Sequence, residues 1–309
     1  MSTNTVMAKK TPRILDGGMS RELVRLGAEL KQPEWSALAL MNAPDIVRQV
    51  HEEFIAAGAE IITTNSYALV PFHIGEEKFA ADGAALIALS GRLAREAADN
   101  SGKSALVAGS LPPIFGSYEP QLFDADRVQD YLKVLVDNLA PHVDVWLGET
   151  LSLIAEGDAV REAVKATGKP FWVSFTLDDT AEAIATSAIR LRSGESVTEV
   201  AEWAAGSGAE ALLFNCAKPE VMGAAVEAAR AVFLARGVDI EIGVYANAFD
   251  NLDDDNAANE TLHGMRDDLN SDRYSSFAAD WVEKGASLVG GCCGIGAEHI
   301  CRVANRLKA

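Results

Sequence analysis

Two adjacent thiols, Cys292 and Cys293, close the apolar run ASLVGGCCG (Ala286 to Gly294), and a third, Cys216, closes a similar earlier run, LLFNC. In a fully extended chain neighbouring side chains point to opposite sides, so both members of the pair can meet Cys216 only if the backbone turns there. Gly290, Gly291 and Gly294 permit such a turn. Three thiolates converging on one point suit Zn²⁺, a borderline-soft ion usually held by four ligands. Three protein ligands leave its fourth position open, the arrangement of a catalytic rather than a closed structural site. The spacing is not that of a zinc finger or ribbon. The competing reading is plain packing, because cysteine behaves as a small buried hydrophobe and four in 309 residues is an ordinary number. Cys301, in an expected helix beyond the pair, is read as packing.

A zinc held by thiolates has an electron-rich surround and activates water poorly. Its natural partner is another sulfur, which can lose its proton there and remain a nucleophile. Attack of that thiolate on an activated methyl group is the economical reaction. A zinc hydrolase or lyase on the same scaffold is the alternative. Hydrolases more often use His, Asp or Glu ligands with a general base, and none of the five histidines stands clearly at a strand end.

The elements that must bring these thiols together recur along the chain. Eight apolar segments read as strands: RILDGG, AEIITTNSY, SALVAGS, VDVWLGET, PFWVSFT, AEALLFNC, IEIGVYAN and ASLVGG. Each is followed by a helical pattern or by a loop and a helix, the signature of a parallel sheet covered by helices. Eight such units predict an α/β fold, a single-domain (β/α)₈ TIM barrel over residues 13–309, preceded by a flexible tail over 1–12. A doubly wound open sheet is the alternative, but no GxGxxG follows the first strand. The segment LGAELKQPEWSALALMNAP is expected to be a long connection with at most one short helical turn. Asp45 is expected to cap the next helix, which Gly58 closes, and another helix is expected from about Gly75 to Asp99. Pro219 suits the first turn of its helix. The barrel's C-terminal face would then receive Asp16, Asn65, Ser110, Glu149, Thr176, Cys216, Asn247 and the Cys292–Cys293 pair, where barrel enzymes place their chemistry. A polar insertion, Asn251 to Asp272, is expected beside that face and in reach of its entrance.

With 27 Lys and Arg against 45 Asp and Glu, the formal charge is −18. A surface so acidic repels nucleic acid and anionic membrane. No secretory segment is read at the N-terminus and no run of eighteen apolar residues occurs, so the expectation is a cytoplasmic protein whose cysteines stay reduced. Self-association is left open, since no separate dimerisation segment stands out.

GGCCG after a strand, NC at the end of the sixth, LDGG near the start, and the ITTNSY and LGET segments together resemble the homocysteine S-methyltransferase family, from Arg13 to about Leu307. That family includes betaine-dependent and S-methylmethionine-dependent enzymes and the homocysteine module of cobalamin-dependent methionine synthase. The resemblance implies small-molecule substrates, homocysteine and an onium methyl donor, with Zn²⁺ on Cys216, Cys292 and Cys293 receiving the homocysteine sulfur. It implies that Glu149, assisted by Asp16, receives the homocysteine ammonium. The backbone N–H groups of Met19 and Ser20, after Gly17 and Gly18, would bind its carboxylate, with Gly18 permitting its close approach. Tyr67 would close over substrate near the metal, and Asn215 would support the site. The donor stays open among S-methylmethionine, S-adenosylmethionine, betaine and dimethylsulfoniopropionate, as does a homocysteine-binding module that needs a separate methyl-carrier protein. Trp35, Phe115, Tyr118, Trp172 and Tyr245 are the candidate rings for an onium centre.

Overall fold

The computed structural model describes residues 10–186, 189–249 and 266–308. Most of the expected tail and most of the polar insertion, with its expected place over the entrance, lie outside the described residues. Eight strands form: β1 (Arg13–Ile14), β2 (Ile61–Thr63), β3 (Leu106–Leu111), β4 (Val145–Leu151), β5 (Phe171–Phe175), β6 (Ala211–Asn215), β7 (Glu241–Ala246) and β8 (Leu288–Gly291). They pair in parallel in the order β1-β8-β7-β6-β5-β4-β3-β2, and a parallel bridge between Leu15 and Ile61 joins β1 to β2. The sheet thus closes on itself, which removes both of its edges. The expected (β/α)₈ barrel is the fold.

Strand alternation divides the core in two. Leu15, Ile61, Ala108, Val145, Leu147, Trp172, Ala211, Leu213 and Leu288 pack inside the barrel. Their neighbours in sequence, such as Ile14, Ile62, Val107, Trp146, Val173, Leu212 and Phe214, face outward onto the helices. Burial on both faces is why the strands read as continuous apolar runs.

The helices agree with expectation except near the N-terminal part of the barrel. The connection after Gly18 holds two helices, Met19–Arg25 and Ser36–Asn42, with a cis Gln32–Pro33 bond between them. Each is only two turns long and is held by burying one large apolar side chain, Leu23 and Leu40 respectively, so neither shows a sustained period in sequence. Asp45 is not a cap. Pro44 takes the first helical position of Pro44–Ala57, Ala43 precedes it, and Asp45 lies exposed in the first turn, 3.5 Å from Arg48. It acts there through the helix dipole. Gly58 does end this helix, with φ 113°. The helix expected from about Gly75 to Asp99 runs without interruption from Glu76 to Asn100, with a π-helical turn at Phe79–Gly83, and a separate short helix, Pro71–Ile74, precedes it. No described helix is long and apolar enough to cross a membrane.

Candidate active site

The inward parity that fills the barrel also builds the site. Two residues beyond the inner apolar layer, the same strands deliver Thr63, Ser110, Glu149, Ser174 and Asn215 to the C-terminal mouth. A cavity opens above them, lined among others by Asp16, Gly18, Met19, Ser20, Trp35, Tyr67, His73, Tyr118, Glu149, Tyr245 and all three expected thiols.

Cys216 follows β6 directly, with φ 49°. Cys292 follows β8; its N–H donates to the Ala246 carbonyl at 2.9 Å, and its own carbonyl accepts from Ile295 at 3.0 Å. Gly294, at φ 83°, makes the turn that sequence requires. Gly290 and Gly291 serve differently, since a Cβ on either would run into Leu15 or Ile295. The Cys216, Cys292 and Cys293 sulfurs all lie within 4.8 Å of one another, and those of Cys292 and Cys293 are 4.0 Å apart. Zn–S bonds of about 2.3 Å in a tetrahedron would separate the sulfurs by about 3.8 Å, a spacing that Cys292 and Cys293 already have and that Cys216 can take once it is free of Cys292. Cys216 and Cys292 are joined here as a disulfide, which departs from the expectation that these cysteines stay reduced. Only the reduced pair can serve as ligands.

Gly18 lies against this turn. A Cβ there would meet the Cys292 carbonyl and the Cys293 backbone, so the close approach it permits is to the thiol turn itself. Gly18→Ala must push Cys292 and Cys293 off their positions. We expect folded protein with about a hundredfold lower turnover and reduced zinc content, measured by steady-state rates and metal analysis.

Two carboxylates face the cavity without a cation in its lining. Asp16 accepts from the Thr63 N–H at 2.7 Å and the Thr63 hydroxyl at 3.3 Å. Burial pushes its pKa up to about 8, against the Thr63 bonds, and the Glu149 charge adds to the rise. Glu149 accepts from the Ser110 hydroxyl and from the Tyr245 hydroxyl, the latter at 3.3 Å. Burial pushes it up to about 7. Two desolvated acids side by side with no positive partner are a site for a bound cation.

Aromatic rings complete the lining. Trp35 donates to the Ser20 hydroxyl, so Ser20 uses its side chain to hold that ring. The Tyr67 hydroxyl is 2.7 Å from the Ser117 hydroxyl. Tyr118, at φ 67°, lies under the Arg192 guanidinium, 4.5 Å from its ring centre, and Arg192 is fixed by Asp179 at 2.9 Å. Two other expected rings stand elsewhere. Phe115 packs on Tyr131, and Trp172 fills the barrel beneath the site. Asn215 does not line the cavity either. It accepts from the Thr150 N–H at 3.0 Å and the Ser174 hydroxyl at 2.7 Å and donates to the Thr150 hydroxyl at 2.8 Å, clamping Thr150 at φ 59° beside Glu149. Cys301 is exposed on the outer helix Ala297–Lys308. Sequence reasoning missed Thr63, His73, Ser117 and Thr150 as members of the site. For Thr63 the inward parity of Ile61 was the available signal; for the others none was.

The family model described as Homocysteine S-methyltransferase matches residues 13–307. A homocysteine S-methyltransferase of Bacillus subtilis is 28% identical, covering 94% of this chain and 93% of its own. Homocysteine S-methyltransferase 1 of Arabidopsis thaliana is 30% identical, with 91% and 88% covered. Among solved structures, the metallated form of the homocysteine methyltransferase MmuM from Escherichia coli superposes with a TM-score of 0.76 at 27% identity, covering 96% of this chain and 97% of that one. Its oxidized form gives the same TM-score, 0.76, at 27% identity, with 97% and 98% covered.

Proposed function

The chain belongs to the homocysteine S-methyltransferase family and transfers a methyl group to homocysteine, and we propose that the methyl comes from a small onium donor and leaves as part of methionine. The observation that carries this reading is one cavity lined by three convergent thiols and by two buried carboxylates with no cation in the same lining. The sulfur of homocysteine and its ammonium have matching places there.

Cys216, Cys292 and Cys293 would hold the zinc, which supplies when bound a site where a thiol loses its proton yet stays nucleophilic. Glu149 and Asp16 would bind the homocysteine ammonium, each carboxylate gaining the charge partner it lacks. The N–H groups of Met19 and Ser20 would receive the substrate carboxylate. Trp35 and Tyr118, with Tyr67 beside the thiols, would hold the onium by its attraction to their ring faces. Thiolate attack forms the S–CH₃ bond as the donor's onium–CH₃ bond breaks, and the donor leaves neutral at that centre. The side chains' contribution is alignment and exclusion of water, and no general base is required.

A donor panel tests this. With homocysteine and reduced, zinc-loaded protein, at least one of S-methylmethionine, S-adenosylmethionine, glycine betaine and dimethylsulfoniopropionate should give methionine without a second protein. Zinc removal should abolish that product. Methionine formed only when a separate methyl-carrier protein is added would overturn the small-donor reading.

A further inference from the structure

The functional reading above leaves His73 unused. It stands in the short helix Pro71–Ile74, only 4% exposed, and lines the cavity. Its Nδ1 lies 3.0 Å from the Pro33 carbonyl oxygen. A carbonyl can only accept, so Nδ1 carries the hydrogen, and a neutral ring then has its lone pair on Nε2. Burial holds the pKa of His73 below its ordinary value, outweighing the opposite pull of the Pro33 carbonyl, so the neutral ring is the form present near neutral pH. Among the described residues none hydrogen-bonds to Nε2, and Nε2 is not sealed from solvent as an orphaned buried atom would be. Because His73 lines the cavity, this lone pair is available to a ligand there.

One of the rings assigned above to the donor, Tyr67, stands near His73, and the others share its cavity lining. The His73 ring centre is 6.1 Å from that of Tyr67, and Pro33, which fixes its tautomer, is two residues from Trp35. We propose that His73 Nε2 accepts a hydrogen bond from the α-ammonium of an amino-acid sulfonium donor and so sets donor specificity. In S-methylmethionine four bonds, about 5 Å when extended, separate the sulfonium sulfur from that nitrogen. This distance is comparable to the spacing of the Tyr67 and His73 rings. Glycine betaine and dimethylsulfoniopropionate carry no N–H and would leave the lone pair unmatched in a desolvated wall. The inference rests on the proposal that the donor is an onium held by the aromatic wall.

The test compares kcat/KM for S-methylmethionine and for dimethylsulfoniopropionate at saturating homocysteine, in the zinc-loaded wild type, His73→Phe and His73→Gln. The wild type should favour S-methylmethionine. His73→Phe should lower that preference by about tenfold or more, through a lower value for S-methylmethionine and an unchanged or higher one for dimethylsulfoniopropionate, which no longer faces an unmatched lone pair. His73→Gln, whose amide oxygen can still accept, should keep more of the preference than His73→Phe. Because both donors are measured on one sample, a misfolded fraction lowers both and leaves their ratio intact. A preference unchanged or raised in His73→Phe, or a wild type that favours dimethylsulfoniopropionate, overturns the role of His73. Failure of every onium donor to yield methionine overturns instead the reading on which it rests.

Discussion

Cys293→Ala is expected to leave the barrel folded but unable to retain zinc, and to lower methionine formation by at least about 10³-fold, or about 4 kcal/mol of transition-state stabilisation. Burial pushes the Cys293 thiol up to about 11, with the Glu149 charge adding to the rise, so without a metal this sulfur is protonated near neutral pH. A cation beside it reverses that balance, and the price in the apo protein is small because a neutral thiol is easily buried. Among the described residues the three thiols are the one group of three or more His, Cys, Asp or Glu side chains close enough to share an ion, so loss of Cys293 leaves that group with two ligands. Cys216 and Cys292 would remain, already close enough to pair with each other. Metal analysis under reducing conditions, with turnover on the same samples, reads the result. Cys301→Ser on the outer helix should change neither. Stoichiometric zinc in Cys293→Ala, or more than about a tenth of the wild-type rate, would remove this sulfur from the ligand set.

How far the site was legible follows from the distance over which each feature is encoded. The thiols could be placed because Cys216 and Cys292 each directly follow a strand that reads as an apolar run. Glu149 was legible for the same reason, two residues past the inward-facing Leu147. The bonds that set these groups were not. Asp16 meets Thr63 across 47 residues, Ser110 meets Glu149 across 39, and Asn215 clamps Thr150 across 65. Such pairs exist only once strand register is fixed, and hydrophobic pattern gives register's parity but not its value. Asn215 shows the difference. Its inward parity was readable from Leu213, yet parity could not say that Ser174 and Thr150 would consume its polar atoms below the cavity. The short helices that carry Ser20 and His73 escaped for another reason, since helices this short are held by tertiary packing rather than by their own periodicity.

Glu149→Gln separates the charge of the carboxylate from its shape, and we expect it to raise the KM for homocysteine about a hundredfold while kcat changes by less than about tenfold. The amide oxygen can still accept from Ser110, and the Tyr245 hydroxyl can turn to accept from the amide nitrogen, so the wall should keep its geometry. What disappears is the charge-assisted bond to the ammonium in a desolvated place. The pH dependence gives the sharper reading. Burial holds Glu149 up to about 7 and Asp16 up to about 8, so in the free protein both take up protons as pH falls through that range. Because these folded-state values lie above the ordinary carboxylate range, the empty protein binds more protons than the unfolded chain between about pH 4 and 8. The two groups therefore cost it stability as pH rises through that window. An ammonium ligand binds the charged forms, so its affinity should rise from pH 6 to 8.5 and its stabilisation of the fold should grow in parallel. L-Methionine carries the same ammonium without a titrating thiol, which keeps zinc–sulfur chemistry out of the measurement. In the wild type its affinity and its effect on Tm should climb across this range; in Glu149→Gln the climb should be shallower and displaced toward the Asp16 value. A Glu149→Gln protein that binds methionine as tightly as the wild type, with the same pH profile, would place the ammonium elsewhere in the cavity.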